Sequence, residues 1–224
     1  MSVLKLNNSD NISYWTDMYS KPNAFGTGPT KLAEMALKLM KELSVQNILE
    51  IGCGQGRDAI YFSKHGYTVE TFDFSESAIN FVNKTKQMLN LNNINAIKHD
   101  VREIFPYENS YFDFIYSNLA LQFFSIDVLI KIFDNIERVM KRNGTIIFST
   151  KRKGDKYYNF GNKITENEFE YKGIHRYFFD EIELKNFLEK KFKIISFESD
   201  SHINENSTVS NWWKIQLKKV KSDQ

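Results

Sequence analysis

The residues that first invite a chemical reading lie in Ile48-Leu-Glu-Ile-Gly-Cys-Gly-Gln-Gly-Arg-Asp58. An apolar run ends in Gly52, Gly54 and Gly56, and a helical pattern starts behind them. Glycines at alternate positions let the backbone turn tightly and let a ligand lie against the main chain. The dinucleotide fingerprint requires G-x-G-x-x-G, whereas this run reads G-x-G-x-G, with Arg57 where the last glycine belongs. A bound pyrophosphate is therefore disfavoured. Asp73 closes the next apolar stretch, and an ionised carboxylate there can accept from both hydroxyls of a ribose. Its neighbours Phe72 and Phe74 offer rings to a base. Asp100, in His99-Asp100-Val101, can accept from an exocyclic amine, and the run Phe112–Ala120 brings Ser117 and Asn118 to the same end. With a ligand as its partner, Asp73 is expected to be dispensable for folding.

Other titratable residues divide by context. Arg57 has two readings, a pair with a cofactor carboxylate or with an acid on the following helix. Cys53 has no local partner and reads as a small packing residue of the loop. His65 and His99 do not read as catalytic. His175 and His202 fall in the C-terminal half, and either imidazole can take a proton from a substrate near neutral pH. A solvated loop histidine is the competing reading for each. Tyr14, Trp15, Tyr19 and Phe25 form an aromatic cluster that packs a first helix or covers a cleft.

These residues need elements to hold them. Leu32, Met35, Ala36, Leu39, Met40 and Leu43 recur at helical spacing. Strands are predicted at 47–51, 67–72, 94–98, 112–116 and 145–149, with helices at 57–64 and from an N-cap at Ser75. A further helix carries Leu129, Ile132, Phe133, Ile136, Val139 and Met140 and stops at Asn143-Gly144. Residues 151–174 show no period and read as a long loop. Asp180 caps a helix through Lys190, with Glu183 placed for a capping box, and two strands follow at 192–197 and 209–217. Regular alternation of strand and helix predicts a mainly parallel sheet with helices on both faces. In such a sheet ligands bind at the carboxyl ends of the strands, where each singled-out residue of the first half lies.

Composition bounds the rest. The chain has 224 residues, 42% hydrophobic and 26% charged, with a formal net charge of +2, so a packed core is available and no polyanionic partner is signalled. One cysteine permits no internal disulfide and suits a reducing cytoplasm. The N-terminus lacks the apolar core of a signal peptide, and no apolar run reaches the ~20 residues of a membrane span. No metal site is expected. A monomer or a homodimer fits these data equally.

Over residues 46–150 the sequence resembles the class I S-adenosylmethionine-dependent methyltransferases. Glu50-x-Gly52-x-Gly54-x-Gly56 matches the family motif lying along the methionine part of the cofactor. Asp73 matches the ribose-binding acid, Asp100 with Val101 the adenine contact, and Ser117-Asn118-Leu119 the backbone that holds the amino group. The resemblance thus implies a cofactor set of Glu50, Gly52, Cys53, Gly54, Gly56, Arg57, Asp73, Phe74, Asp100, Val101, Ser117 and Asn118. It implies a Rossmann-like, doubly wound α/β fold with a seven-stranded sheet, mostly parallel, with a C-terminal antiparallel strand. One methyltransferase domain is expected over 1–224: an aromatic cap to residue 45, the cofactor core over 46–150, and a substrate loop with final strands beyond. The stretch Gly52–Tyr67 looks like the tellurite-resistance and thiopurine methyltransferase-type branch, in which a histidine near the last strand makes His202 a substrate-site candidate. The basic residue that follows it there is Ile203 in this chain. The expected reaction is methyl transfer to a small molecule by in-line displacement. The alternatives are an RNA methyltransferase, although Ser-Asn-Leu-Ala replaces the Asn/Asp-Pro-Pro-aromatic motif, a nicotinamide-linked oxidoreductase, and a non-catalytic binding module.

Overall fold

The structure, a computed structural model, describes residues 8–220, with side chains from Ser13 onward. Buried apolar stretches form β1 (Asn47–Ile51), β2 (Thr68–Asp73), β3 (Ile94–Lys98), β4 (Phe112–Asn118) and β5 (Met140–Lys151). Helices α1 (Asn8–Ser20) and α2 (Lys31–Glu42) precede β1, while α3 (Arg57–Lys64), α4 (Glu76–Met88) and α5 (Ile126–Val139) connect the strands. Three short strands follow, β6 (Asn162–Lys163), β7 (Glu168–Tyr171) and β8 (Ile174–Tyr177). Then come α6 (Glu181–Leu188), β9 (Phe192–Ile203) and β10 (Val209–Lys219).

The main sheet has seven strands in the order β3-β2-β1-β4-β5-β10-β9, and β10 runs antiparallel to both neighbours. The expected doubly wound architecture is the observed one. Order reverses between β1 and β4, and the crevice outside their carboxyl ends is where such sheets bind ligands. Alternation along β1 feeds two cores. Ile48 joins the apolar faces of α2, α3 and α4, while Leu49 and Ile51 join α5, α6, Phe133 and Phe148. Side-chain caps set the helix starts: Thr30 accepts from Ala33 N, Ser75 from Ala78 N, and Asp180 from Ile182 N. Among the described residues no helix is long and apolar enough to cross a membrane.

Three local expectations need correction. Helix α5 ends at Val139 and Met140 already opens β5, so Asn143, with a φ of 63°, turns the chain inside a strand and does not terminate a helix. Burial of Met140 and Val139 in the same core made the strand entry look like another helical turn. Glu183 forms no capping box, because its carboxylate takes the Asn167 amide at 3.1 Å. The second half of the predicted loop carries the antiparallel sheet β6-β7-β8, whose strands of two to four residues are too short to show a period.

Candidate active site

The loop after β1 is built from main-chain hydrogen bonds. Gly52 N and Cys53 N both donate to Phe72 O, at 3.0 and 3.2 Å, which staples the loop to the end of β2. Gly52, Gly54 and Gly56 hold φ values of 72°, 52° and 75°, a region that side chains disfavour. Crowding adds to this. A Cβ on Gly52 would stand 2.5 Å from Ala120 Cβ, and one on Gly56 would stand 2.6 Å from Val82 Cγ2. The first glycine thus lets β1 and the turn after β4 close up, and the last lets α3 meet α4.

Asp73 stands beside this loop, buried, and its two oxygens accept from Gly54 N and Ser75 N, each at 2.9 Å. Burial raises its carboxyl above the usual range, while the two N–H donors lower it. The carboxylate therefore braces the loop even without a ligand, which corrects the expectation that it is dispensable for folding. An ionised carboxylate keeps further lone pairs for hydroxyl donors. Phe74 follows it, half-buried.

Glu50 lies almost wholly buried under the loop, its Oε2 without a hydrogen-bond partner among the described residues. Burial, then the neighbouring Asp58, push its carboxyl well above the usual carboxylate range. Asp58 is itself held by Thr30 N, Thr30 Oγ1 and the Tyr116 hydroxyl, at 2.8, 2.9 and 2.7 Å, which ties α2, α3 and β4 together. Cys53 is buried, its thiol pushed up by burial and donating to Gly54 O. At the end of β3, Asp100 accepts from Arg102 Nε at 2.9 Å, Val101 packs on the core, and the neighbouring His99 has a buried Nε2 without a partner. At the end of β4, Ser117 donates to Ile51 O at 3.0 Å and Asn118 accepts from Ser149 Oγ at 2.6 Å. The structure thus gathers Glu50, the three glycines, Asp73, Phe74, Asp100, Val101, Ser117 and Asn118 along one end of the sheet.

The N-terminal segment covers this end. Trp15 stacks on Tyr19 at 5.5 Å and meets Phe123, just beyond β4, edge-on at 5.2 Å. Tyr19 reaches the glycine loop, where a Cβ on Gly54 would come within 2.9 Å of its hydroxyl. Burial and the nearby Asp73 push that phenol far up. Two side chains, one from the loop and one from the start of α3, hold the segment in place. Gln55 donates from Nε2 to Tyr19 O and Lys21 O, at 3.1 and 2.8 Å, and accepts from Ala24 N at 2.8 Å. Arg57 donates to Phe25 O and lies 3.9 Å from Asp58, the acid on its own helix that was one of its two readings. The latching role of Gln55 escaped the sequence reading, since its partners lie more than thirty positions away.

The two histidines sit apart from that cluster. His175 on β8 places Nδ1 2.7 Å from Glu168 Oε1, and Tyr177 donates to the other Glu168 oxygen at 2.8 Å. Alternation along β8 puts His175 on the face opposite Arg176. His202 lies exposed near the end of β9, paired across the ladder with Ser210.

Glu50 Oε2 and His99 Nε2 are buried without a hydrogen-bond partner among the described residues, and the glycines of the loop admit close approach of a ligand. This donor and acceptor set fits S-adenosylmethionine. Comparisons with known proteins agree. A probable S-adenosyl-L-methionine-dependent methyltransferase TehB of Haemophilus influenzae (strain 10810) is 36% identical over 97 residues, 43% of this chain and 33% of the relative. The match spans about a third of the length of that curated relative. The crystal structure of TehB from Haemophilus influenzae superposes with a TM-score of 0.65 at 22% identity, over 93% of this chain and 67% of that one. A Burkholderia thailandensis 1,6-didemethyltoxoflavin-N1-methyltransferase, solved with bound 1,6-didemethyltoxoflavin and S-adenosylhomocysteine, shares the fold with a TM-score of 0.73 at 16% identity, over 95% and 88% of the two chains. The tellurite resistance protein TehB family matches residues 17–200, most of the chain, and the protein belongs to that family of class I S-adenosylmethionine-dependent methyltransferases.

Proposed function

We propose that this chain transfers a methyl group from S-adenosylmethionine to a small-molecule acceptor. The observation that carries the reading is the meeting at Gly54, whose N–H donates to Asp73 while Tyr19 of the cap lies against its Cα. A ligand cradle and a lid that share one residue suit a reaction closed off from water.

S-adenosylmethionine, when bound, supplies an electrophilic methyl group on a sulfonium. The chain's own residues have to bind, orient and dehydrate. In this reading Glu50, Gly52, Cys53, Gly54, Gly56 and Arg57 form the methionine end. Asp73 takes the ribose, Phe74 offers its ring to the adenine that Asp100 and Val101 contact, and Ser117 and Asn118 make the backbone contact to the amino group. Trp15, Tyr19 and Phe123 exclude water above the loop, and aromatic faces favour a neighbouring cation. Holding a nucleophile aligned about 3 Å from the methyl group is worth up to ~7–11 kcal/mol, so few groups need to take part in bond making.

His175 and His202 remain the proposed proton acceptors, needed only where the acceptor must lose a proton. Glu168 orients the His175 ring, whereas His202 is exposed. General-base help is worth about 10²–10⁴-fold. The lone buried thiol of Cys53 supports a reducing, cytoplasmic setting.

The test is a thermal shift series with S-adenosylmethionine, S-adenosylhomocysteine, NAD and NADP, followed by mass spectrometry of methylated products from thiols, amines, hydroxyls and oxyanions. Ligand at 100 times its Kd adds about 2.7 kcal/mol of stability, so a clear rise in melting temperature is expected with the first two only. Equal shifts with a dinucleotide would sink the cofactor reading, and methylation of RNA alone would sink the small-molecule one.

A further inference from the structure

A charged side chain withdrawn from water needs an opposite charge or a full set of hydrogen bonds. Arg176, on β8 beneath the cap, is partly buried, and no carboxylate among the described residues pairs with it. Its guanidinium carbon lies 4.6 Å from the Tyr157 ring centroid and 5.9 Å from that of Phe123, and its side chain bonds to Tyr14. The acid nearest in influence, Asp155, is committed elsewhere. It accepts from Lys151 Nζ at 2.5 Å, Asn211 N at 2.9 Å and Tyr157 N at 3.1 Å. Burial accordingly pulls the guanidinium below its ordinary value, with Tyr157, Tyr14 and Asp155 opposing. The result is a partly buried cation lodged against aromatic rings.

Its location gives that cation a use. Phe123 touches both Arg176 and Trp15, Trp15 stacks on Tyr19, and Tyr19 rests on Gly54. Arg176 therefore stands on the cap side of the crevice, a chain of rings away from the glycine loop. A surface cavity of about 420 Å³ between α1 and the β7–β8 turn shares Tyr14 with this cluster, and Asp17 and Lys172 stand on its walls.

We infer that Arg176 anchors the methyl acceptor through a carboxylate on an organic molecule with an apolar body. The inference rests on the methyltransferase reading and names its substrate class. A planar carboxylate matches the forked N–H donors of a guanidinium, which a compact ammonium does not reproduce. The rings of Tyr157 and Phe123 supply apolar surface for the rest of the molecule. Arg176 neighbours His175 in sequence yet faces the other way, and the alternation of a strand puts it, not the histidine, over Phe123.

The experiment titrates benzoate, neutral benzamide and sulfate into the protein loaded with S-adenosylhomocysteine, by ligand-observed NMR, for wild type, Arg176→Met and Arg176→Lys. Wild type is expected to prefer benzoate over benzamide by about 10- to 100-fold, the range of charge-assisted hydrogen bonds, and to bind sulfate more weakly. Arg176→Met should erase the preference and Arg176→Lys should keep only part of it, with S-adenosylhomocysteine affinity unchanged in both. Should the methionine variant not fold, the lysine variant must still weaken benzoate several-fold. Equal binding of benzoate and benzamide to wild type, a preference that survives in the variants, or tighter binding of sulfate overturns the inference. Wild type that fails to bind S-adenosylhomocysteine brings down the methyltransferase reading as well, and that result is seen before any acceptor probe is added.

Discussion

Gly54 and Tyr19 touch, yet the regions they belong to are held by different means. Around Gly54 the main chain fixes everything: Gly52 N and Cys53 N donate to Phe72 O, and Gly54 N and Ser75 N donate to Asp73. These bonds are directional and lie between strand ends already locked in register, with Ile51 opposite Phe72. Around Tyr19 the contacts are ring on ring, through Trp15, Phe25 and Phe123, joined by the long side chains of Gln55 and Arg57. Ring packing tolerates sliding, and a few side-chain bonds can be released without unfolding a strand. The cradle is thus held by main-chain bonds between strands, and the cap by side-chain bonds and ring contacts.

Substitutions should separate the two regions. The largest effect is expected for Gly52→Ala, which forces a Cβ against Ala120 at a φ of 72°. Urea unfolding should show a loss of about 2–3 kcal/mol, and calorimetry a loss of S-adenosylhomocysteine binding. A stable, binding-competent variant would mean the cradle is as pliable as the cap. Asp73→Ala comes next. It strands two buried N–H groups, at a cost of about 1–3 kcal/mol in stability, and should weaken cofactor binding by about 10- to 100-fold. Loss of affinity without loss of stability would show that the carboxylate serves the ligand alone.

Gln55→Ala probes the cap from inside the loop. It removes three hydrogen bonds to the N-terminal segment, so stopped-flow dissociation of S-adenosylhomocysteine should quicken several-fold while stability falls by less than about 1 kcal/mol. An unchanged dissociation rate would remove Gln55 as a latch. The effect of Glu50→Gln should depend on pH. The folded-state pKa of Glu50 is raised, so its ionisation opposes folding as pH climbs above the ordinary carboxylate range. Relative to wild type, the variant should gain stability between pH 5 and pH 8, read by urea unfolding at the two values. A gain that shrinks with rising pH would contradict the burial argument.

How much of this was legible differs between the same two regions. The glycine loop, Asp73, Asp100 and the strand-end order read directly from the sequence, because strand period, glycine spacing and N-cap residues are local signals. The partner of Gln55 and the cation cage of Arg176 carry no local signal. Gln55 meets Tyr19 across 36 positions, and Arg176 meets Phe123 across an intervening helix and three strands. The strands β6 and β7 inside 151–174, and β8 at its end, leave no mark in the sequence because two to four residues are too few for alternation to register. Met140 continues the helical spacing of α5 although it opens β5, because burial alone cannot tell a helical turn from a strand entry.

The amino-acid sequence by itself determined the alternating α/β order, the glycine cradle and the acid beside it. Each of these depends on backbone conformations that neighbouring residues dictate. Tertiary structure alone decided that Asp73 braces the loop, that Arg57 and Gln55 hold the cap, and that Arg176, not His175, faces the rings above the crevice. The reason is physical. A side chain's partner is set by which distant elements the closed sheet brings within hydrogen-bond or ring-contact reach, and that proximity exists only once β1, β4 and the cap have packed.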